Sequence, residues 1–221
     1  MATKTKFKKD LFNIDKLIEF RHWMHKNAEL SLVEFNTHAK IKEYLIDTIG
    51  IPESCIETTV NTGLVVTLQG TAEPRGEKFC VALRADIDAL PIQENNPELE
   101  YQSTSGVAHM CGHDGHTACL LGGASIIYNN LDLLPSNKTA KLLFQPGEEG
   151  HRGALKMIEE GCMKDVDEVY GMHNFPQKGE AEIMVNDREM MATINFFKMK
   201  VNFNALIGKI SNCHHLKQIL S

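Results

Sequence analysis

The strongest chemical signal in the sequence is the segment His-Met-Cys-Gly-His-Asp-Gly-His at residues 109–116. Cys111 and His113 are two residues apart, and Gly112 and Gly115 permit a tight loop that directs both side chains at one point. Thiolate and imidazole are good ligands for zinc and related divalent ions. The segment therefore indicates a metal site, and a histidine-rich loop that leads into a helix is the alternative.

A pair of adjacent carboxylates, Glu148 and Glu149, follows an apolar stretch that ends at Gln145. In α/β sheets, ligands bind outside the carboxyl ends of the strands. One carboxylate there can hold a metal ion while its neighbour acts as general base on a water molecule. The alternative is a solvated pair at the start of a helix, where negative charge is favourable. Taken alone, this motif favours the solvated pair.

Further candidates lie at the ends of two other apolar stretches. His173 closes one of them, and a lone histidine in that place is more often packed or capped than a ligand. Asp86 and Asp88 share one face of a strand because strand side chains alternate. They could bind metal, orient a ligating histidine, or form the turn before Pro91. Together, thiolate, imidazole and carboxylate donors at successive strand ends are typical of an α/β hydrolytic metal site.

These side chains must be positioned by alternating strands and helices. Short apolar or β-branched runs bounded by turn residues predict strands at residues 64–68, 79–85, 141–145 and 169–173. Helical patterns lie between them at residues 117–129 and 153–160, and Gly161 suits the end of the second helix. Strands that alternate with helices predict an α/β sheet covered on both faces.

The N-terminal part predicts two amphipathic helices, because apolar residues recur there at helical spacing. The break between the helices is expected at residues 27–31, and Gly50 followed by Pro52 ends the second helix. Residues 180–201 alternate like a strand, whereas residues 202–221 continue no clear element. The predicted apolar stripes consist of Leu11, Ile14 and Ile18 in the first helix, and of Ile41, Leu45 and Ile49 in the second.

Composition narrows the functional class. With 221 residues, 43% of them hydrophobic and 24% charged, the chain is predicted to be globular. A formal net charge of -6 provides no basic field for nucleic acid. The sequence has no apolar run of the length that a secretory signal or a membrane span requires, so a soluble cytoplasmic protein with no membrane partner is expected. The six cysteines form no CxxC pair, which argues against a disulfide framework and a structural zinc knuckle.

Four motifs, in this order, resemble those of a known enzyme family: ALRADIDALP, HMCGHDGHTA, LLFQPGEEG and VYGMHNFP. The family is the amidohydrolase branch of the aminoacylase/carboxypeptidase zinc peptidases, which includes hippurate hydrolases and plant indole-acetyl amino-acid hydrolases. RHWMHKNAELSLVE resembles the family's opening helix and turn, and MMATINFFKMKV resembles the start of its second domain. The resemblance covers residues 12–201.

The resemblance implies a mixed sheet flanked by helices, with an incomplete catalytic metal-binding domain at residues 12–179. Residues 180–201 would begin a second α+β domain for dimerisation or as a lid, and residues 202–221 would be a tail outside the family. The family's final metal-binding histidine comes from a segment after the second domain, so the chain is expected to be truncated. His214 and His215 fall too early, and in the wrong context, to replace that ligand.

The resemblance also implies chemistry. Two divalent ions, zinc or manganese, would be held by Cys111, His113, Glu149 and His173, with Asp88 behind them. Glu148 would be the general base that takes a proton from the attacking water and passes it to the leaving amine. The implied substrate is a small N-acyl amino acid, and a family-type homodimer is implied, with most of its dimerisation domain absent. The alternatives are an inactive truncated fragment that still binds metal and, on paper, a covalent thiol mechanism at Cys111.

Overall fold

The computed structural model of the protein describes residues 8, 11–175 and 183. The chain divides into two compact units, Met1–Pro176 and Gln177–Ser221, and the helices and strands below all belong to the first. The predicted strand-like segment at 180–201 and the tail at 202–221 lie outside the described residues, apart from Ile183. Within the described residues, no helix combines the length and apolar character needed to cross a membrane.

A five-stranded mixed sheet organises the first unit, and its strand order is β1-β2-β4-β3-β5. Strands β1, β2 and β4 pair antiparallel, whereas β3 pairs parallel with both β4 and β5. The carboxyl ends of β3, β4 and β5 therefore meet at one edge, and the predicted mixed sheet flanked by helices is confirmed. The strands are β1 (Ile56–Thr59), β2 (Gly63–Gln69), β3 (Phe79–Asp86), β4 (Lys138–Gln145) and β5 (Glu168–Gly171).

Helices cover both faces of this sheet. Apolar side chains of β2 and β4 alternate between the faces, as the two-residue period of a strand requires. Leu64 and Phe144 belong to the larger core under α1 and α3, while Val65 and Leu143 pack with Met157 of α4 on the other face. The helices are α1 (Ile14–Lys26), α2 (Phe35–Glu43), α3 (His113–Tyr128) and α4 (Gly153–Glu159), with a π-helical stretch (Tyr44–Ile49) after α2.

The two predicted N-terminal helices are present, but the apolar stripe predicted for the first is wrong. Ile14 and Ile18 are 55% and 45% exposed, and α1 instead buries Leu17, Phe20 and Met24. Both stripes have helical spacing, so periodicity identified the helix and not the face that packs. In the second helix, Ile41 and Leu45 are fully buried and Ile49 packs against the same core, as predicted.

Two boundaries differ from the predictions near the site, and one strand was not predicted. Helix α3 begins at His113, four residues before the predicted start at 117. Strand β5 ends at Gly171, so His173 lies in the loop beyond it. Strand β1 was not predicted, because only the two ends of its four residues are buried and an alternating apolar pattern is absent.

Candidate metal centre

The donors predicted from the sequence converge at the edge where β3, β4 and β5 end. Ligand atoms of Cys111, His113 and His173 lie within 4.8 Å of one another, and those of His113, Glu148 and Glu149 do so as well. His113 belongs to both groups, so it joins the thiol side of the cluster to the carboxylate side. Segments more than 60 residues apart in sequence thus meet at this edge.

His113 is held in one orientation by the start of α3. Gly112, with φ of +90°, adopts the left-handed conformation that turns the chain into the helix. Nδ1 of His113 lies 2.9 Å from the carbonyl oxygen of Asp88. Because a carbonyl oxygen only accepts hydrogen bonds, Nδ1 donates, and the lone pair of the neutral ring is on Nε2. Nε2 is buried without a hydrogen-bond partner in the described part of the chain, as expected for a metal ligand.

His173 shows the same arrangement in the loop after β5. Its Nδ1 donates to the carbonyl oxygen of Asn174 over 2.9 Å. Its Nε2 faces the sulfur of Cys111 at 3.4 Å. Two imidazoles from different segments therefore turn their free nitrogens toward one thiol, which is a suitable donor set for zinc.

The thiol of Cys111 is protonated in this environment. Burial, together with the negative charge of Glu149 and then of Glu148, raises the pKa of Cys111 to about 12. A nucleophilic cysteine requires the opposite, a lowered pKa and a ready thiolate. The geometry therefore disfavours the covalent thiol mechanism, whereas a bound cation would stabilise the thiolate as a ligand.

The two adjacent glutamates occupy different environments. The side chain of Glu149 is 20% exposed and that of Glu148 is 41% exposed. Burial and the charge of Glu148 raise the pKa of Glu149, and Oε1 of Glu149 is buried without a hydrogen bond among the described residues. Such an unpaired buried carboxylate oxygen fits a cation ligand. Glu148 is the more accessible to water, with Oε2 at 3.9 Å from Nε2 of His113.

Asp88 lies beside this cluster, in contact with His113 and with the glutamate loop. Its Oδ2 accepts hydrogen bonds from Ser31 Oγ at 2.5 Å and from the backbone N–H of Glu149 at 2.9 Å. Burial opposes ionisation of Asp88, but its hydrogen bonds with His113 and Ser31 outweigh burial and lower its pKa. Asp88 thus ties the loop after β3 to both His113 and the glutamate loop.

The loop that carries the two glutamates is fixed by groups that the sequence analysis did not single out. Gly153 begins α4 so close to β4 that an added Cβ would lie 1.6 Å from the carbonyl oxygen of Pro146. Glu34, which is fully buried, accepts hydrogen bonds from the backbone N–H of Gly147 at 2.9 Å and from Thr62 Oγ1 at 2.5 Å. Glu34 and Gly147 are 113 residues apart, so no local sequence pattern could have indicated their contact.

An ionic cluster at the start of α3, in which all members except Arg21 are buried, was also missed; it consists of Arg21, His25, Glu94 and Asp114. His25 lies between two carboxylates, with Nδ1 at 3.0 Å from Asp114 Oδ2 and Nε2 at 3.3 Å from Glu94 Oε1. Arg21 Nε donates to the same Asp114 oxygen over 3.1 Å. The one available signal was that Arg21 and His25 are four residues apart on α1 and share a face. The cluster joins α1 to the residue that follows His113.

Comparison with known proteins agrees with this geometry. The family model for Peptidase family M20/M25/M40 matches residues 82–212, which is more than half of the chain. The chain belongs to this family. Among solved structures, Bacillus subtilis YXEP protein, described as a dinuclear metal binding peptidase from the M20 family, is 36% identical with a TM-score of 0.65. That similarity covers 74% of this chain and 43% of the other.

Two curated relatives of this M20 chain are named after the cleavage of acylated amino acids. N-acetyl-L-cysteine deacetylase of Bacillus subtilis (strain 168) is 40% identical over 187 residues, which are 84% of this chain and 42% of that protein. IAA-amino acid hydrolase ILR1-like 2 of Arabidopsis thaliana is 42% identical over 160 residues, which are 72% of this chain and 34% of that protein. The chain thus spans less than half the length of these relatives. Its match to the family model and to these relatives confirms the family resemblance.

Proposed function

We propose that this chain is a metal-dependent amidohydrolase that cleaves the amide bond of N-acyl amino acids or similar small amides. The observation that carries the proposal is the shared orientation of the donors. His113 and His173 each donate from Nδ1 to a backbone carbonyl and turn Nε2 toward the cluster that contains Cys111 and the glutamate pair. The names of the two curated relatives support the substrate class.

In this proposal Cys111, His113, Glu149 and His173 hold two divalent ions, zinc or manganese. When bound, the ions supply Lewis acidity that polarises the amide carbonyl and makes a water molecule more acidic. Glu148 takes one proton from the attacking water while the water oxygen bonds to the carbonyl carbon. Glu148 then passes the proton to the amine as the carbon–nitrogen bond breaks, which yields a carboxylate and a free amino acid. Its greater exposure suits this exchange of protons with water and product.

The organisation of the longer molecule is part of the proposal. We infer a catalytic domain at residues 12–179, the start of a dimerisation or lid domain at residues 180–201, and a tail at residues 202–221. A homodimer and a cytoplasmic location accompany this assignment. Light scattering on the purified chain and on a version extended to the relatives' full length would test the dimer, and a monomeric extended chain would contradict it.

Turnover by the purified chain tests the function directly. The chain is loaded with zinc or manganese, supplied with N-benzoylglycine or N-acetylcysteine, and assayed for release of the free amino acid. Glu148→Gln should lower kcat by about 10²- to 10⁴-fold, since that is what a general base contributes. The variant should still bind metal, and the exposed Glu159→Gln on α4 should retain both properties.

Three outcomes would contradict the proposal or one of its assignments. A parent chain that binds metal but releases no amino acid would favour the alternative, a metal-binding fragment without turnover. Full activity in Glu148→Gln would remove the assignment of the general base. Loss of metal from Glu148→Gln would show that this glutamate acts as a ligand.

A further inference from the structure

His116, which the mechanism above does not use, is fully engaged by two partners. Its side chain and that of Asp86 are almost entirely buried, and Nδ1 lies 2.7 Å from Asp86 Oδ1. An ionised carboxylate only accepts, so Nδ1 of His116 donates and the lone pair of the neutral ring is on Nε2.

Asn174 donates a hydrogen bond to that nitrogen and connects His116 to the candidate metal centre. The backbone N–H of Asn174 donates to Nε2 of His116 over 3.0 Å, and the backbone carbonyl of Asn174 accepts from Nδ1 of His173. One peptide segment therefore links the ring of His116 to the ring of His173. Oδ1 of the Asn174 side chain also lies 2.6 Å from this Nε2, where it can accept a hydrogen bond when both ring nitrogens are protonated.

The same side chain lies against the loop between the other two donors. A Cβ added at Gly112 would lie 2.5 Å from Oδ1 of Asn174, so the amide occupies space that only glycine leaves free. Gly112 separates Cys111 from His113. Asn174 is thus in contact with the segment of Cys111 and His113 and, through its carbonyl, with His173.

Little else in the described residues holds the loop of His173. Strand β5 contributes four residues, all of them exposed, at the edge of the sheet. Met172 and Phe175, which flank the loop, are 52% and 42% exposed. By contrast, the side chains of Asp86 and His116 are almost entirely buried, at the end of β3 and in the first turn of α3.

We propose that Asp86, His116 and Asn174 form a positioning relay that orients His173 toward Cys111 and thereby sets the metal affinity of the site. The inference rests on the proposed function in one respect, since it takes His173 as a metal ligand. None of the three relay residues is assigned contact with the metal ions or the substrate. They act through His173, as hydrogen-bond partners behind metal ligands commonly do.

Two substitutions at His116 separate this role from simple packing. His116→Phe retains the ring volume and removes both hydrogen bonds. His116→Gln loses the ring but offers a side-chain oxygen as acceptor for the N–H of Asn174. The matched control is Cys119→Ser, at an exposed position one turn farther along α3. Each protein is titrated with cobalt(II) against a chromophoric chelator, and the thiolate-to-cobalt absorption band is recorded.

The relay predicts that His116→Phe weakens cobalt binding by about 10- to 100-fold and alters the thiolate band. His116→Gln should bind more tightly than His116→Phe, and Cys119→Ser should match the parent. If packing alone mattered, the order of the two His116 variants would be reversed. Equal affinity in the parent and His116→Phe would overturn the relay.

A second measurement needs no metal. In long-range ¹H–¹⁵N spectra of the imidazoles in the apo-protein, His173 should be a single Nδ1–H tautomer in the parent and a mixture in His116→Phe. An unchanged His173 spectrum in His116→Phe would overturn the relay, even for a chain that binds no cobalt. A chain that shows the expected affinities and tautomers but no turnover would refute the proposed function and leave the relay standing.

Discussion

Replacement of His25 by alanine should cost more stability than any other single histidine substitution outside the metal centre. The side chain is 10% exposed and lies between the buried carboxylates of Asp114 and Glu94. Removing one partner of a buried ion pair typically costs about 3–5 kcal/mol, because it leaves a buried charge uncompensated. Asp114 retains Arg21, whose side chain is 43% exposed and partly hydrated. We therefore expect a loss of about 3 kcal/mol in the free energy of unfolding, out of a total of about 5–15 kcal/mol.

The free energy of unfolding that His25→Ala loses should depend on pH in a direction that the pKa of His25 determines. The hydrogen bond to Asp114, opposed in part by burial and aided by Glu94, raises the pKa of His25 above its ordinary value. The stabilisation is therefore complete below the unfolded-state pKa of about 6.5 and is lost as the pH rises through the higher folded-state pKa. The difference in stability between the parent and His25→Ala should thus shrink as the pH rises above that point.

Urea unfolding followed by circular dichroism, at about pH 6 and about pH 9, measures both effects. His22→Ala is the matched control, because His22 is also on α1 but stacks on Tyr101 with a centroid distance of 3.7 Å and has no ion-pair partner among the described residues. Loss of that stacking should cost about 0.5–1.5 kcal/mol at either pH. Equal losses for the two variants, or a His25→Ala loss that does not change with pH, would refute the ionic role of His25.

Three further predictions concern the metal centre and the core. Gly112→Ala should lower the free energy of unfolding in urea by at least about 1–2 kcal/mol and weaken cobalt binding, because a Cβ at φ of +90° would meet Asn174. Gly115→Ala should change neither property, because there is open space around its Cβ. Metal uptake should displace the thiol proton of Cys111, whose pKa is about 12, so the apparent metal affinity should rise with pH. Calorimetry in buffers of different ionisation enthalpy should detect the released proton. Metal binding that does not depend on pH would contradict this. Phe144→Ala should lower the free energy of unfolding by about 3–5 kcal/mol, since this ring is fully buried in the core, and a loss below about 1 kcal/mol would be inconsistent with that burial.

Much of the fold could be predicted because its signals are local. Strands β2, β3 and β4 consist of apolar or β-branched runs between turn residues, and their predicted bounds lie within a few residues of those observed. The wrong stripe in α1 shows the limit of such reasoning. Several apolar residues of α1 have helical spacing, and only tertiary packing selects the side of Phe20 over the side of Ile14 and Ile18.

The residues of the candidate site likewise fall into those that local sequence patterns could indicate and those that they could not. The strand-end position of each motif made its donors candidates, because ligands bind there in α/β sheets, and the resemblance to the family supplied their predicted roles. The groups that orient the donors were missed because their partners are far away in sequence, as with Glu34 and Gly147 or His25 and Asp114. The proximity of His116 to His113 could have been predicted, because residues 113 and 116 share a face of a helix that begins at 113. The predicted start at 117 hid this relation.

The insertion of β4 between β2 and β3 also constrains how the chain folds as it is synthesised. Strands β2 and β3 do not pair with each other: β2 pairs with the earlier strand β1, whereas both partners of β3, β4 and β5, come later in the chain. Until Gln145 has left the ribosome, the apolar residues of two strands lack the central strand that would join them in one sheet. A nascent chain of that length exposes unpaired strand edges, which makes it a substrate for chaperones and prone to aggregation. His173 is the last of the four candidate donors in the sequence, so all four are present only in a nascent chain that already contains every strand of this sheet.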